Sequence, residues 1–176
     1  MKAHLNAGGD VTQRVPLYES SPEVVKSEIA TFFDVFPDGT VWSNDIQGKG
    51  YDVVLAGHAT PQTIDVDSMQ MRLAGPEYAR VAQSLADVGF RSALSLLSTY
   101  GGQARDLAPW LAGAQINRDS NLRLQYLAGM ELNTYENASI YDAMPRYRKS
   151  PDNLFVGTDS ETHSLREALD TRSPTP

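Results

Sequence analysis

The chain has 176 residues, 41% of them hydrophobic, which is the size and composition of one ordinary globular domain. Its net charge of −7 argues against the clustered lysine and arginine that nucleic acids and anionic membranes require, so neither is an expected partner. There is no cysteine, which excludes disulfides, thiol nucleophiles and Cys-ligated zinc, and no stretch is apolar for long enough to span a membrane. We therefore expect a cytoplasmic chain.

The first predicted elements are a strand and a helix. Residues 11–15 form the strand, and Pro16, which has no N–H to donate, ends its ladder and leaves an extended exit through Tyr18. The Ser-Ser-Pro-Glu run at residues 20–23 is typical of a helix start. Apolar residues then recur at helical spacing as far as Phe36, where a Pro-Asp-Gly turn ends the helix.

Two more strands are predicted at residues 40–43 and 51–56. The loop between them is polar and contains glycine, so they should be antiparallel neighbours, while the helical crossover makes the first strand parallel to the second. Ligands of open α/β sheets lie outside the carboxyl ends of the parallel strands. The candidate substrate-binding residues at that rim are Gln13, Tyr18, Asn44 and Asp45. His58 falls on the opposite rim and is predicted to have a structural role.

The sequence predicts three successive regions. Residues 1–62 should form the end of an α/β sheet domain, and residues 63–156 a helical extension. Within that extension, residues 122–126 alternate between apolar and polar, which favours an extended edge segment. Residues 157–176 are polar and predicted to be disordered, apart from a weak helix near residues 165–169.

The motifs of common enzyme chemistries are missing from the sequence. There is no P-loop, glycine-rich dinucleotide turn, Ser-His-Asp spacing or paired histidine. Asn117, Asp119 and Asn121 are spaced like ligands of a calcium loop, but the glycine and distal glutamate of that loop are absent. The residues themselves therefore predict an α/β domain with a helical annex, and neither a catalytic residue nor a metal site.

Three separated segments resemble the second half of the spermidine synthase-like proteins, a family that includes bacterial versions fused to membrane segments. These segments are residues 5–19 (LNAGGDVTQRVPLYE), residues 33–42 (FDVFPDGTVW) and residues 116–127 (INRDSNLRLQYL). The last is similar to the family's closing Asn-Thr-Asp-Asp-Asn-Leu-Arg-Leu-Glu-Tyr pattern, in which Arg118 and Gln125 replace the usual threonine and glutamate.

The resemblance implies a class I methyltransferase-type, Rossmann-like sheet, with the last strand inserted antiparallel between the two before it. It also implies aminopropyl transfer from decarboxylated S-adenosylmethionine to a polyamine such as putrescine. In the family, the glycine-rich turn and acidic residue that hold this co-substrate, and the aspartate that activates the amine, precede the matched region. Of the polyamine-side residues, the strand glutamine corresponds to Gln13, while Asn44 and Asp45 occupy the region of the family's tyrosine.

We therefore expect the C-terminal portion of a spermidine synthase-like aminopropyltransferase, inactive alone and without a cofactor of its own, whose parent protein could be membrane-fused. The alternative is a non-catalytic module. Such a module would pair with a complementary N-terminal half, or with a second copy of itself, through the open sheet edge from Val11 to Val15.

Overall fold

A computed structural model of the chain describes residues 2–17, 20–46, 49–130, 140, 143–151 and 153–171. These residues form two compact units, one built from the described parts of residues 1–61 and 101–149 and the other from those of residues 62–100 and 150–173. The strands and α-helices in chain order are β1 (Asp10–Pro16), α1 (Pro22–Val35), β2 (Thr40–Ile46), β3 (Lys49–His58), β4 (Ile64–Asp65), α2 (Val66–Ala74), α3 (Ala79–Asp87), α4 (Ala93–Leu97), β5 (Tyr100–Gln103), α5 (Ala104–Leu107), α6 (Arg123–Met130), β6 (Phe155–Val156) and α7 (Asp159–Thr171). Single 3₁₀ turns lie at Lys2–His4, Pro76–Tyr78 and Met144–Tyr147.

The main sheet has the strand order β1-β3-β2-β5, and β3 runs antiparallel to both β1 and β2. Because both neighbours oppose β3, β1 and β2 are parallel to each other, as a helical crossover between them requires. The sequence patterns predicted parallel β1 and β2 and antiparallel β3, and the structure confirms these directions. The position of β3 between the other two, which the family resemblance implied, is also observed. Strand β5 was not predicted, because its Tyr-Gly-Gly-Gln sequence lacks the apolar alternation that marks a strand.

Helix α1 forms at the predicted place and for the predicted reason. The Ser21 hydroxyl oxygen accepts a hydrogen bond from the Val24 N–H at 3.3 Å, and Pro22 occupies the first helical position. Its buried residues recur every three or four positions, so one face of the helix packs against the sheet.

The core of the first unit lies on one face of the sheet. The strand residues that enter it are Val15, Val41, Val53 and Leu55, and they pack with the apolar face of α1. On each of these strands, the residues that alternate with the core residues point their side chains to the other face. There Thr12 and Arg14 are exposed and Trp42, Val54 and Ala56 are partly buried, while the polar residues Thr40 and Asp52 are buried.

Strand β1 is an edge strand of the described sheet, and its outward-facing groups follow from the register. The Ala59 N–H donates to the Gly9 carbonyl at 3.0 Å, next to the Asp10–His58 pair that starts the ladder. Along an antiparallel ladder, directly opposite residue pairs alternate between pairs that share backbone hydrogen bonds and pairs that do not. The N–H of Gln13 therefore points toward β3, that of Thr12 points away from it, and Pro16 falls at an outward position where its missing N–H breaks no ladder bond.

The second unit includes a short parallel pair, β4 with β6, and the helix α7. The weak helix predicted near residues 165–169 is present within α7, which extends over Asp159–Thr171 where disorder was otherwise predicted. Leu165 and Leu169 are one helical turn apart and both are buried. The division into units also differs from the predicted one, since residues 101–149 pack with the first unit and α7 with the second.

The predicted extended segment at residues 122–126 is also wrong, because helix α6 begins at Arg123. Two asparagine side chains stabilise its start: Asn121 Oδ1 accepts from the Arg123 N–H at 3.2 Å, and Asn117 Oδ1 accepts from the Leu124 N–H at 2.9 Å. Caps of this kind decide between helix and strand where a short alternation of residue types is ambiguous.

Candidate functional site

The carboxyl ends of β1 and β2 meet at one rim of the sheet. In the register of the three strands, Pro16 of β1 and Asn44 of β2 both lie opposite Asp52 of β3. A register shift between Asn44 and Asp45 then brings Asp45 opposite Gly50. The backbones of two predicted substrate-binding residues are therefore at this rim. The side chains of Asn44 and Asp45, and all of Tyr18, lie outside the described part of the structure.

Asp52 is a buried carboxylate at this rim. Its Oδ2 forms an ion pair with Arg14 Nε, and the two side chains differ sharply in accessibility, Asp52 being 6% exposed and Arg14 55% exposed. Sequence reasoning missed Asp52, although an acidic residue inside a run of apolar, β-branched residues was a usable signal. A carboxylate held away from water attracts a cation strongly, because there is little solvent to screen it.

Gln13 makes a second polar pair, on the other face of β1. Its Nε2 donates to Glu28 Oε1 of α1 at 2.7 Å. Burial raises the pKa of the Glu28 carboxyl above its ordinary value, and the hydrogen bond from Gln13 opposes this shift without cancelling it. With its amide N–H₂ engaged by Glu28, Gln13 offers its amide oxygen as an acceptor for an amine.

The Gln13–Glu28 pair and the Arg14–Asp52 pair lie on opposite faces of the sheet. Gln13 pairs with Leu55 across the ladder, whereas Asp52 is three residues away and belongs to the alternate face of β3. Gln13 and Asp52 therefore flank the sheet from opposite faces. The Glu28 partner was not foreseen, since its position in an otherwise amphipathic helix reads as a solvated residue.

His58 lies at the other rim, as predicted. Its Nδ1 is 2.6 Å from Asp10 Oδ1, and these two residues are directly opposite each other in the register. The pair joins the start of β1 to the end of β3, far along the strands from Asp52. Its position supports a structural role for His58.

Asp52 offers a carboxylate at the rim, and Gln13 offers an amide farther along β1 on the other face; both kinds of group recognise amines and other cations. Within the described residues, no group of three or more His, Asp or Glu side chains is placed to hold a metal ion. No described helix is both long enough and apolar enough to cross a membrane.

No protein-family model, curated protein or solved structure matches this chain. The chemistry of its own residues, together with the resemblance of its motifs, must therefore carry the functional inference.

Proposed function

We propose that this chain is the C-terminal portion of a cytoplasmic spermidine synthase-like aminopropyltransferase with a class I methyltransferase-type, Rossmann-like fold. The intact enzyme would transfer the aminopropyl group of decarboxylated S-adenosylmethionine to a polyamine such as putrescine. The observation that carries this proposal is the reversed strand β3, lodged between parallel β1 and β2. The family places its last strand in the same way, and the resembling motifs occur on the matching elements.

The one-sided core supports the same proposal. In the family fold, further strands continue the sheet beyond the strand that corresponds to β1, and helices cover both faces. Here β1 is the edge of the described sheet, and the face that carries Thr12 and Val54 supplies no residue to the core cluster of the first unit. Both features are expected of a sheet that is completed by a preceding segment.

The reaction needs a neutral amine, a sulfonium held in line with it, and a group that accepts the amine proton. The amine nitrogen forms a bond to the carbon next to sulfur, that carbon–sulfur bond breaks to release a neutral thioether, and the proton passes to the base. Asp52 would help to bind and orient the amine, together with Tyr18, Asn44 and Asp45. Gln13, on the opposite face of the sheet, would contact a different part of the substrate. The glycine-rich turn and the activating aspartate have no counterpart among the 176 residues, so this chain alone should be inactive.

The test compares this chain with a longer protein translated from the upstream coding sequence, if that sequence encodes the glycine-rich turn and the activating aspartate. Each is incubated with putrescine and decarboxylated S-adenosylmethionine, and spermidine formation is measured. Only the longer protein should be active, and Asp52→Asn in it should raise the KM for putrescine by about tenfold, the loss typical of one charge-assisted contact. Glu167→Gln, on an exposed face of α7, is the matched control and should change nothing.

Two results would contradict the proposal. One is micromolar binding of an S-adenosyl ligand by the 176-residue chain, measured by isothermal titration, because that would show a complete co-substrate site here. The other is an upstream sequence without the two missing motifs.

The second candidate function is a non-catalytic module that pairs with another polypeptide. It is favoured by one observation, the position of β1 at the edge of the described sheet. Such a module should purify as a defined complex or as a homo-oligomer, in which the Thr12 amide is protected from hydrogen exchange. A stable monomer by light scattering, with no co-purifying partner, would refute it.

A further inference from the structure

A pocket of about 280 Å³ lies where the start of α1, the turn at residues 112–115 and the start of α6 come together. We name it the Arg123 pocket. Its lining includes Glu23, Lys26, Ser27, Gly113, Arg123 and Leu127. This volume is at the lower end of the range for small-molecule sites, roughly 300–1,000 Å³, so its occupant would be small.

Positive charge dominates the lining. Lys26 and Arg123 are its two cations and Glu23 is its one carboxylate, giving a local excess of one positive charge in a chain with a net charge of −7. Lys26 Nζ lies 5.3 Å from the centre of the Trp110 ring, a cation–π contact that limits where the ammonium group can go. An anion entering this pocket would therefore meet a restrained cation.

The guanidinium of Arg123 is not fully hydrogen-bonded within the described residues. Its Nη2 lies 3.5 Å from Glu23 Oε2, while its Nε is buried and has no hydrogen-bond acceptor among the described residues. A buried donor without an acceptor is destabilising, and such donors are rare in folded proteins. A guanidinium offers its N–H groups in a planar fork that fits the oxygens of carboxylates and phosphates.

The backbone around the pocket is held in place by hydrogen bonds. The Ser27 hydroxyl donates to the Gln115 carbonyl at 2.5 Å, and the Asn117 N–H donates to Thr31 Oγ1 at 2.8 Å. Asn121 Nδ2 donates to the Ile116 carbonyl at 2.9 Å. The segment that resembles the family's closing pattern therefore folds into a fixed turn along α1, and this turn presents Arg123 at the start of α6.

From these observations we propose that the Arg123 pocket binds a small oxyanion, the carboxylate or phosphate group of a small molecule, between the Arg123 guanidinium and Lys26 Nζ. Glu23 competes with this ligand for Arg123. The lining of the proposed site includes neither Asp52 nor Gln13, and the proposal does not depend on aminopropyl transfer.

The test is isothermal titration of the full chain with sodium phosphate and, separately, with sodium succinate, at an ionic strength kept constant with sodium chloride. At least one anion should bind saturably at one site and shift the amide resonances of residues 113–115. Succinate alone would identify a carboxylate ligand, phosphate alone a phosphate ligand, and both would indicate a general oxyanion site. Heats no different from those of chloride would overturn the proposal.

Three variants and one matched control make the test specific. Arg123→Gln and Lys26→Met should each weaken binding about tenfold, the loss typical of one charge-assisted contact. Glu23→Gln should tighten it about threefold to fivefold, since it removes a partly exposed competing charge. The control is Arg118→Gln, which breaks an exposed ion pair with Asp34 at 3.2 Å in the same segment and should leave the affinity unchanged.

The gain expected from Glu23→Gln separates binding from folding, because a purely structural ion pair would give a weaker site or none when it is broken. Unchanged or weaker affinity in Glu23→Gln would overturn the proposal. So would an equal loss in Arg118→Gln and Arg123→Gln, which would mean that the anions respond only to total charge.

Discussion

Gly57, at the end of the reversed strand β3, sits against two phenylalanine rings. A Cβ at this position would lie 2.6 Å from Phe36 Cγ, 2.8 Å from Phe36 Cδ1 and 2.9 Å from Phe32 Cζ. Carbon atoms pack at about 3.5–4.0 Å, so Gly57→Ala creates an overlap of about 1 Å. Neither ring can move aside easily, because both are buried and their centres are 4.9 Å apart.

The expected cost follows from this overlap. Overpacking of a core by one methyl group costs about 1–3 kcal/mol, and replacing a strand glycine with alanine returns about 0.5–1 kcal/mol of backbone entropy. Gly57→Ala should therefore lower the free energy of unfolding by about 1–2 kcal/mol. Ala56→Val is the matched control. The side chain of Ala56, the residue before Gly57, lies on the other, partly exposed face, so the free energy of unfolding should change by no more than about 0.5 kcal/mol.

Urea unfolding followed by tryptophan fluorescence measures this cost in the first unit, since both tryptophans, Trp42 and Trp110, belong to it. The cause is tested by a double-mutant cycle with Phe36→Ala, which removes the ring that the Cβ would approach most closely. In that background Gly57→Ala should cost less than in the wild type, with a remainder from the Phe32 contact at 2.9 Å. An equal cost in both backgrounds would refute the proposed clash, as would a single variant as stable as the wild type.

Three further predictions concern the sheet and its rim. Glu28→Gln should raise the urea midpoint at neutral pH. A carboxyl whose pKa is raised in the folded state destabilises the fold as the pH rises through that pKa, and glutamine does not ionise. The gain in urea midpoint should vanish at pH ~4, where both side chains are neutral, and a gain that is the same at every pH would refute this reasoning. In a monomer the Thr12 amide should exchange with solvent much faster than the Gln13 amide, and equal protection by NMR exchange would contradict the edge position of β1. Arg14→Met should lower the free energy of unfolding by about 1–2 kcal/mol, because it removes the cation beside buried Asp52. Adding Asp52→Asn to this variant should recover part of the lost stability, and no recovery would show that the ion pair is not the cause.

The elements that the sequence predicted well are those where several local signals agree. Helix α1 has a serine cap, a proline at its first position and a periodic apolar face, and β3 has a β-branched apolar run bounded by glycines. The strand directions followed from the crossover rule and a short hairpin loop, whereas the position of β3 between the other two strands was implied only by the family resemblance. These signals are contained in the segments themselves.

The elements that were missed or underestimated depend on contacts that the pattern within one segment does not show. Helix α6 begins where the side chains of Asn117 and Asn121, just before it in the chain, accept backbone N–H groups. Helix α7, predicted only as a weak helix near residues 165–169, is stabilised by the burial of Leu165 and Leu169. The same holds for the rim, where Asp52 becomes a paired, buried carboxylate only because Arg14 lies on the adjacent strand. A pattern within one segment does not show which residue another segment will bring to it.

Pro16 has a consequence for any strand that joins β1 from outside. Every second residue of β1, including Thr12 and Arg14, directs its N–H away from β3. The residue that follows Arg14 in this series is Pro16, which has no N–H. A joining strand would therefore find regular hydrogen bonds only up to that point and would have to diverge from β1 just before the rim that holds Asp52. Pro16 would thus keep the two strands apart beside Asp52, where a bound ligand would need space. The absence of one N–H group would then fix where the opening between the strands begins.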